Sequence, residues 1–407
     1  MFSEVPCFNP IFPNGVSAFI EATSKQLAKL GHEIHIYEGK SWFGQKEEEQ
    51  ICDNIIMHRL FSLPISKYQN FRVVFPLGTI FRGVKLKFDI IHAHGPMNGL
   101  VATIVAKKLN CTKVITYHTP SAQYRQYAPL ILPIGRSIKV LEWYERNVYN
   151  SFDLITTPAK KWKNNLMEQG FDGHKIFVLP NCVNIKENYE RVNPERIQSL
   201  REKYSLNGKR VVIYVGRMSP EKRIPDIINL VPQIIKEEPD THFLMIGKGP
   251  YLEDYRQLAQ RVAPHDITFT GFVSDQDLAN IMQISNLGLI FVDGAQVFDI
   301  TLLNYWSNRL PVCVRRAGGM GEVITHYEDG LLFDKTTEAY SFILNLLQDE
   351  HLSKKLGAKG FQTVKNKYSV EVVTNQLLDL YKLASRKYHI KGDDLVAHMW
   401  RYIRRKK

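Results

Sequence analysis

Long apolar runs are missing from this chain. Nothing in its 407 residues approaches the ~18 consecutive apolar residues of a membrane-spanning helix. The best run, Ala128–Ile134, is short and interrupted by Pro129 and Pro133. No secretory leader is visible, and none is expected, since Met1-Phe2 leads straight into Ser3-Glu4. Cysteine is scarce: Cys7, Cys52, Cys111, Cys182 and Cys313 are odd in number and widely scattered. That pattern excludes a disulfide framework and any metal-binding cysteine spacing, and it fits reduced thiols in a cytoplasm. Acidic residues are outnumbered, 41 against 53 lysines and arginines, for a net charge of +12. Such an excess calls for an anionic partner: a nucleic acid, a nucleotide-sugar or an anionic membrane. No nucleic-acid-binding motif with known mechanics is present, so a nucleic acid is not expected. A basic surface that only confers solubility is the plain alternative.

What is present is an ordinary globular composition, 44% hydrophobic and 23% charged, at a length that suits two domains. The centre of the chain is Val211–Arg223. Its β-branched run, Val211–Val215, reads as a buried parallel strand that Gly216 ends. Ser219-Pro220-Glu221 then reads as a helix start, with a hydroxyl cap, a proline at the first helical position and an acid in the first turn. A strand running into a helix N-terminus attracts an anion. Arg217 and Lys222 flank that spot, a fork donor and a point charge suited to a diphosphate.

Before this centre, Val16, Phe19, Ile20, Leu27 and Leu30 give a first helix an apolar face. Met1–Pro10, broken by Pro6 and Pro10, makes a poor strand, so a first strand is expected to lie upstream of Met1. Strands are expected at Glu33–Tyr37, Ile55–Leu60, Asp89–His92, Lys113–Tyr117, Leu154–Thr157 and Ile176–Leu179, with a basic stretch of unsettled helicity at Arg72–Lys87. Their alternation with helices argues a parallel α/β sheet, whose ligands sit at the C-terminal strand ends. His94 and His118 lie just past two such ends. Pro180–Pro194, punctuated by asparagines, reads as a hinge. Strands at Val211–Val215, His242–Ile246, Ile267–Thr270, Leu287–Val292 and Pro311–Val314 repeat the pattern, and helices close it at Lys354–Lys365 and Val370–Leu383. Two basic amphipathic segments, 124–150 and 392–407, suit an anionic lipid surface. A core-packing helix pair and a solvated tail are the plain alternatives.

GRMSPEKR (216–223) resembles the donor-diphosphate motif of family four of the retaining, nucleotide-sugar-dependent glycosyltransferases. Six further matches lie in order along residues 1–385: FPNGV (12–16), FDIIHAHGP (88–96), TYHT (116–119), PNCVN (180–184), FTGFVSDQDL (269–278) and AGGMGEVI (317–324). The central segment looks closest to members that glycosylate diacylglycerol-type lipids. The resemblance implies an α/β fold with two Rossmann-like domains facing each other across a cleft (GT-B type). Domains are then expected at 1–185 for the acceptor, with a first strand missing or truncated, and at 190–368 for the nucleotide-sugar, with a crossover helix at 369–388 and a basic tail at 389–407.

The same resemblance implies roles. Arg217 and Lys222 hold the donor diphosphate, Gly15 approaches it from the first domain, and His118 hydrogen-bonds the donor sugar. Gly216, Lys248, Phe272, Val273, Gly318, Gly319 and Glu322 line the donor pocket, and His94 lies on the acceptor side. It implies no cofactor and no metal ion, the cationic side chains serving instead. The partners are a nucleoside-diphosphate sugar and a lipid or glycan acceptor, at the inner face of a membrane. One departure stands out. The family's two glutamates, eight positions apart, align with Gln296 and Asn304, and Asp299 replaces a usual glycine. An amide offers a ribose diol fewer acceptor sites than a carboxylate, and neutral bonds are weaker. Two classes therefore stand: an active enzyme acting on a lipid or glycan, and a degenerate relative that binds a nucleotide-sugar, glycan or partner enzyme without turnover.

Overall fold

The structure, a computed structural model, describes residues 1–9, 14–40, 44–64, 72–74, 87–118, 138–293 and 298–387. They divide into two units: Met1–Pro180 with the chain from Val373 onward, and Asn181–Val372. In the first unit the strands are β1 (Phe2–Ser3), β2 (Ile34–Gly39), β3 (Glu48–Cys52), β4 (Ile55–Leu60), β5 (Ser62–Pro64), β6 (Arg72–Val74), β7 (Ile90–His94), β8 (Thr112–Thr116), β9 (Leu154–Thr157) and β10 (Ile176–Val178). The main sheet has the order β10-β9-β8-β7-β1-β2-β4-β3. It is parallel except for β3, which runs antiparallel to β4.

Several expectations change here. The N-terminal segment does hold a central strand position, but over two residues only: Phe2 pairs with Tyr37 and Ala93, and Ser3 with His94. Phe2 is buried and stacks on Tyr37, with ring centroids 5.0 Å apart. The Ser3 hydroxyl then bonds the Val5 carbonyl and turns the chain out of the sheet. Of the basic stretch Arg72–Lys87, Arg72–Val74 is a strand paired with Ser62–Pro64, and residues 75–86 lie outside the described residues. In the helix Gly15–Lys29, Phe19, Ile20 and Leu27 are buried as expected, whereas Leu30 is the exposed residue at its C-cap. Residues 119–137 and 388–407 lie outside the described residues, and with them most of the two basic amphipathic segments. Of 124–150, the helix Ile138–Asn150 is described, and it buries Glu145, Val148 and Tyr149 against the unit, so this part packs.

The second unit has β11 (Arg210–Val215), β12 (Thr241–Ile246), β13 (Ile267–Gly271), β14 (Leu287–Ile290), β15 (Val312–Arg315) and β16 (Leu331–Phe333), in the order β13-β12-β11-β14-β15-β16, all parallel. A β-branched strand has no polar face to give to water, so both sheet faces need cover. Val212 and Tyr214 pack with Ile227, Ile228 and Val231 of the helix Ile224–Glu237. Val211 and Ile213 pack on the other side with Leu302 and Trp306 of the helix Ile300–Ser307. Strand order runs away from β11 in both directions, which leaves the crevice for ligands at its C-terminal end. The three-residue β16 was not expected, being too short to show a period.

The division between the units falls within the expected hinge Pro180–Pro194, after Pro180. The stretch is itself structured: Val183 is buried and bridges to Ser369, Asn184 caps the helix Ile185–Glu190, and Asn193 caps the helix Pro194–Lys203. The final helix, Val370–Lys387, buries Ala384 with Val114 and Leu154 of the first unit's sheet. Among the described residues no helix is long and apolar enough to cross a membrane.

Candidate active site

In the first unit the polar groups gather at the C-terminal ends of β1, β7 and β8. His94 is the last residue of β7 rather than a loop residue. The alternation of a strand puts His92 and His94 on one face, and their rings stack at 4.2 Å. His94 Nδ1 lies 3.0 Å from His118 Nε2, and Phe19 packs against both rings. His92 bonds the Tyr381 hydroxyl at 2.7 Å and the Thr116 hydroxyl at 2.6 Å. Burial disfavours the imidazolium, holding His92 and His94 well below their ordinary value and His118 down at about 3. All three are therefore neutral at physiological pH. The ring of His118 is a hydrogen-bonding group there, not an acid.

Glu4, just past β1, was not anticipated. Its carboxyl oxygen accepts from the backbone N–H groups of Met97 and Asn98, at the start of the helix Pro96–Leu109. Gly95, at φ +119°, makes room for it: a Cβ there would sit 2.3 Å from the carboxyl carbon. Burial pushes Glu4 up to about 8 against those two N–H bonds, with a further rise from Glu145. Gly15 opens its helix, but the N–H groups of Val16 and Ser17 both donate to the Asn14 side chain at 3.0 Å. An anion at this turn competes with Asn14.

In the second unit Gly216 follows β11, and Arg217 and Lys222 follow it. The expected helix start at Ser219 does not form. Pro220–Lys222 is a single 3-10 turn without a side-chain cap, and the α-helix begins at Ile224 after Arg223, at φ +47°. The Ser219 hydroxyl donates instead to Glu221 at 2.8 Å and accepts from Arg217 Nε at 3.2 Å. Arg217 is also ion-paired with Glu221. Burial raises the Glu221 carboxyl, but the Arg217 charge and the Ser219 hydroxyl outweigh it and hold it below its usual range. Lys222 is buried and bonds Asp299 Oδ2 at 2.6 Å. Asp299 Oδ1 meanwhile accepts from the Thr301 N–H at 3.0 Å, capping the helix Ile300–Ser307. Both cations thus carry a carboxylate partner, a pairing across 77 positions in the case of Lys222 that no local pattern reveals.

The loop after β12 braces this turn. Gly216 N–H donates to the Ile246 carbonyl and Met218 N–H to that of Lys248, each at 3.0 Å. Gly247, at φ +139°, passes so close that a Cβ would stand 1.9 Å from the Gly216 carbonyl oxygen. Gly247→Ala is therefore expected to displace Gly216–Met218 and lower the stability of the second unit by roughly 1–3 kcal/mol, measured by denaturant unfolding. Unchanged stability would show that the brace does not shape the turn. Lys248 extends over the ring of the exposed Phe272, 5.7 Å from its centroid, and Val273 follows half-buried. Gly318 and Gly319 are buried on the loop after β15, and Glu322 lies exposed in the short helix Met320–Val323. Asn304 lies on the helix Ile300–Ser307, where its Oδ1 accepts from Asn188 at 3.4 Å. Gln296 lies outside the described residues. Among the described residues no three His, Cys, Asp or Glu side chains group so as to hold a metal ion.

Residues 13–187 match Glycosyltransferase Family 4 and residues 196–363 match Glycosyl transferases group 1. The chain is 24% identical to an alpha-monoglucosyldiacylglycerol synthase of Acholeplasma laidlawii, over 94% of this chain and 96% of that one. It is 22% identical to an N-acetyl-alpha-D-glucosaminyl L-malate synthase of Bacillus anthracis, over 96% and 97%. Among solved structures, Anabaena Alr3699/HepE in complex with UDP and glucose superimposes with a TM-score of 0.73 at 16% identity, covering 94% of this chain and 98% of that one. That likeness shows a two-domain α/β fold of GT-B type. Two matches in succession cover both sheets, the histidine cluster in one and the cationic turn in the other, and on that ground the chain belongs to the glycosyltransferases, a Family 4 half followed by a group 1 half.

Proposed function

We propose that this protein is a retaining glycosyltransferase that moves a hexose-type sugar from a nucleoside-diphosphate sugar to a lipid, lipid-linked or glycan acceptor at the cytoplasmic face of a membrane. The observation that carries this is the grouping of Arg217 and Lys222 on one braced turn at the C-terminal end of β11. When a glycosidic bond to a diphosphate breaks, negative charge grows on the leaving oxygens. Cations already held in place stabilise it without reorganisation, and on this reading they carry the charge that a metal ion would otherwise carry. The neutral His118 would hydrogen-bond the sugar, and the departing phosphate would take the acceptor's proton as it attacks from the same face. The solved Anabaena complex supports a uridine nucleotide, and the name of the Acholeplasma relative supports a diacylglycerol-type acceptor. The malate synthase among the relatives keeps the acceptor class wide.

The test is incubation with UDP-glucose and vesicles containing diacylglycerol, with the product's anomer read by NMR. A glycolipid of the donor's own α configuration is expected. A β-linked product would overturn retention, and no product across a panel of donors and lipid extracts would overturn the enzyme reading. A second reading, binding without turnover, is favoured by the carboxylate partners already on both cations and by the amide of Asn304. Nucleotide-sugar binding without transfer would select it. A further expectation concerns His118. Because burial keeps it neutral, His118→Asn should slow transfer about 10- to 100-fold without moving the pH–rate profile between pH 5 and 8. A limb of the profile that disappears in the variant would mean that His118 titrates during turnover.

A further inference from the structure

We infer that Asp299 is an internal competitor for the donor's diphosphate, an anion built into the chain that sets how tightly Lys222 can hold a nucleoside diphosphate. The inference rests on Lys222 being a diphosphate ligand. Lys222 Nζ and Asp299 Oδ2 are 2.6 Å apart, with side chains only 10% and 8% exposed. This is a desolvated pair, little screened by water or salt. The other carboxylate oxygen is anchored by the Thr301 N–H, so the carboxylate belongs to the rigid start of a helix and does not swing away freely. Thr301 in turn reaches the Val215 carbonyl at 3.4 Å, which places this helix start over the end of β11, where the cationic turn begins. Burial pushes the Asp299 carboxyl up, but the Lys222 charge and the bonds from Lys222 and Thr301 hold it below its usual range, so it is ionised at any pH where the protein works.

Two consequences follow for an incoming diphosphate. A phosphate oxygen that binds Lys222 must share or displace a carboxylate that is already at bonding distance. It also arrives beside a like charge in a site where water screens little. Arg217 is in the same position toward Glu221, but that pair is about a quarter exposed and adjustable, whereas the Lys222 pair is not. Removing the Asp299 charge would take away the buried carboxylate at bonding distance from Lys222, which favours an incoming anion there. Asparagine keeps the cap, since it serves at that position as well as aspartate does. Asp299→Asn therefore separates charge from helix capping.

The experiment is calorimetric titration of wild type and Asp299→Asn with inorganic pyrophosphate and with UDP, at low and at moderate salt, beside thermal unfolding with and without each ligand. Asp299→Asn should melt lower than wild type without ligand, bind pyrophosphate and UDP at least tenfold more tightly, a gain of about 1.4 kcal/mol, and be stabilised more by either. Equal or weaker binding of both ligands by the variant overturns the inference, as does the absence of binding by both proteins. The proposed function fails separately. Tighter pyrophosphate binding by the variant, with no sugar transferred by either protein, keeps Asp299 as a competitor and removes the transferase reading. Transfer by the wild type with unaltered affinity in the variant does the reverse.

Discussion

Lys222→Ala should lower the rate of transfer by about 10²- to 10³-fold, the usual effect of removing one preorganised group from a charge-developing site. The same change deletes half of a buried ion pair, and leaving the Asp299 carboxylate inside without the Lys222 charge costs roughly 3–5 kcal/mol of stability. Loss of activity alone is therefore ambiguous, and two further variants resolve it. In Lys222→Ala/Asp299→Asn the stranded charge is gone, so stability should recover while transfer stays low. In Arg217→Ala the lost pair with Glu221 is partly solvated, so the protein should stay close to wild-type stability while transfer falls to a similar extent. Turnover at the wild-type rate in both single variants would remove the diphosphate assignment.

Glu4→Gln is expected to stabilise the first unit at alkaline pH and to leave it nearly unchanged at acid pH. The folded carboxyl binds its proton up to about pH 8, whereas the unfolded chain releases it near 4.5. Between those values the folded state holds more protons, so stability falls as pH rises through the window and is fully present below it. The difference is on the order of a few kcal/mol, at ~1.4 kcal/mol for each unit between the two values. Glutamine removes the titration while its amide oxygen still accepts from Met97 and Asn98. The measurement is denaturant unfolding from pH 5 to 9, following the transition of the first unit, because two units need not unfold together. Profiles that run parallel for wild type and variant would mean that Glu4 is charged in the folded protein.

Both predictions concern pairings that lie far apart in the chain, and this decides how much could be read from residue order. Val211–Val215 is legible as a buried strand because five apolar residues in a row, three of them valine, leave no alternative face. Arg217 and Lys222 are legible because they lie two and seven positions past that strand's end at Val215. Ser219 misleads because its hydroxyl had two local uses, a helix cap or a bond to Glu221, and the tight Pro220–Lys222 turn with Arg223 left-handed selects the second. Asn184 and Asn193 mark the stretch where the units divide and also cap its helices, since caps and loops want the same side chain. His92 could have been found from its spacing of two from His94 on a strand. Glu4 could not, since its partners lie 93 and 94 positions away. Nor could the bond of Lys222 to Asp299.

The helix Val370–Lys387 is made after Asn181–Val372, yet its residues from Val373 on complete the first unit, covering Val114 and Leu154 with Ala384 and giving His92 the Tyr381 hydroxyl. A ribosome that has released Pro180 must still translate Asn181–Val372 before that cover exists, a wait of roughly ten to forty seconds at ordinary elongation rates. For that interval the newborn sheet offers the cell a bare oily face, and a fragment ending at Pro180 would offer it permanently. Such a fragment should call on chaperones or clump, and the first unit should become protease-resistant only once the residues from Val373 on have emerged.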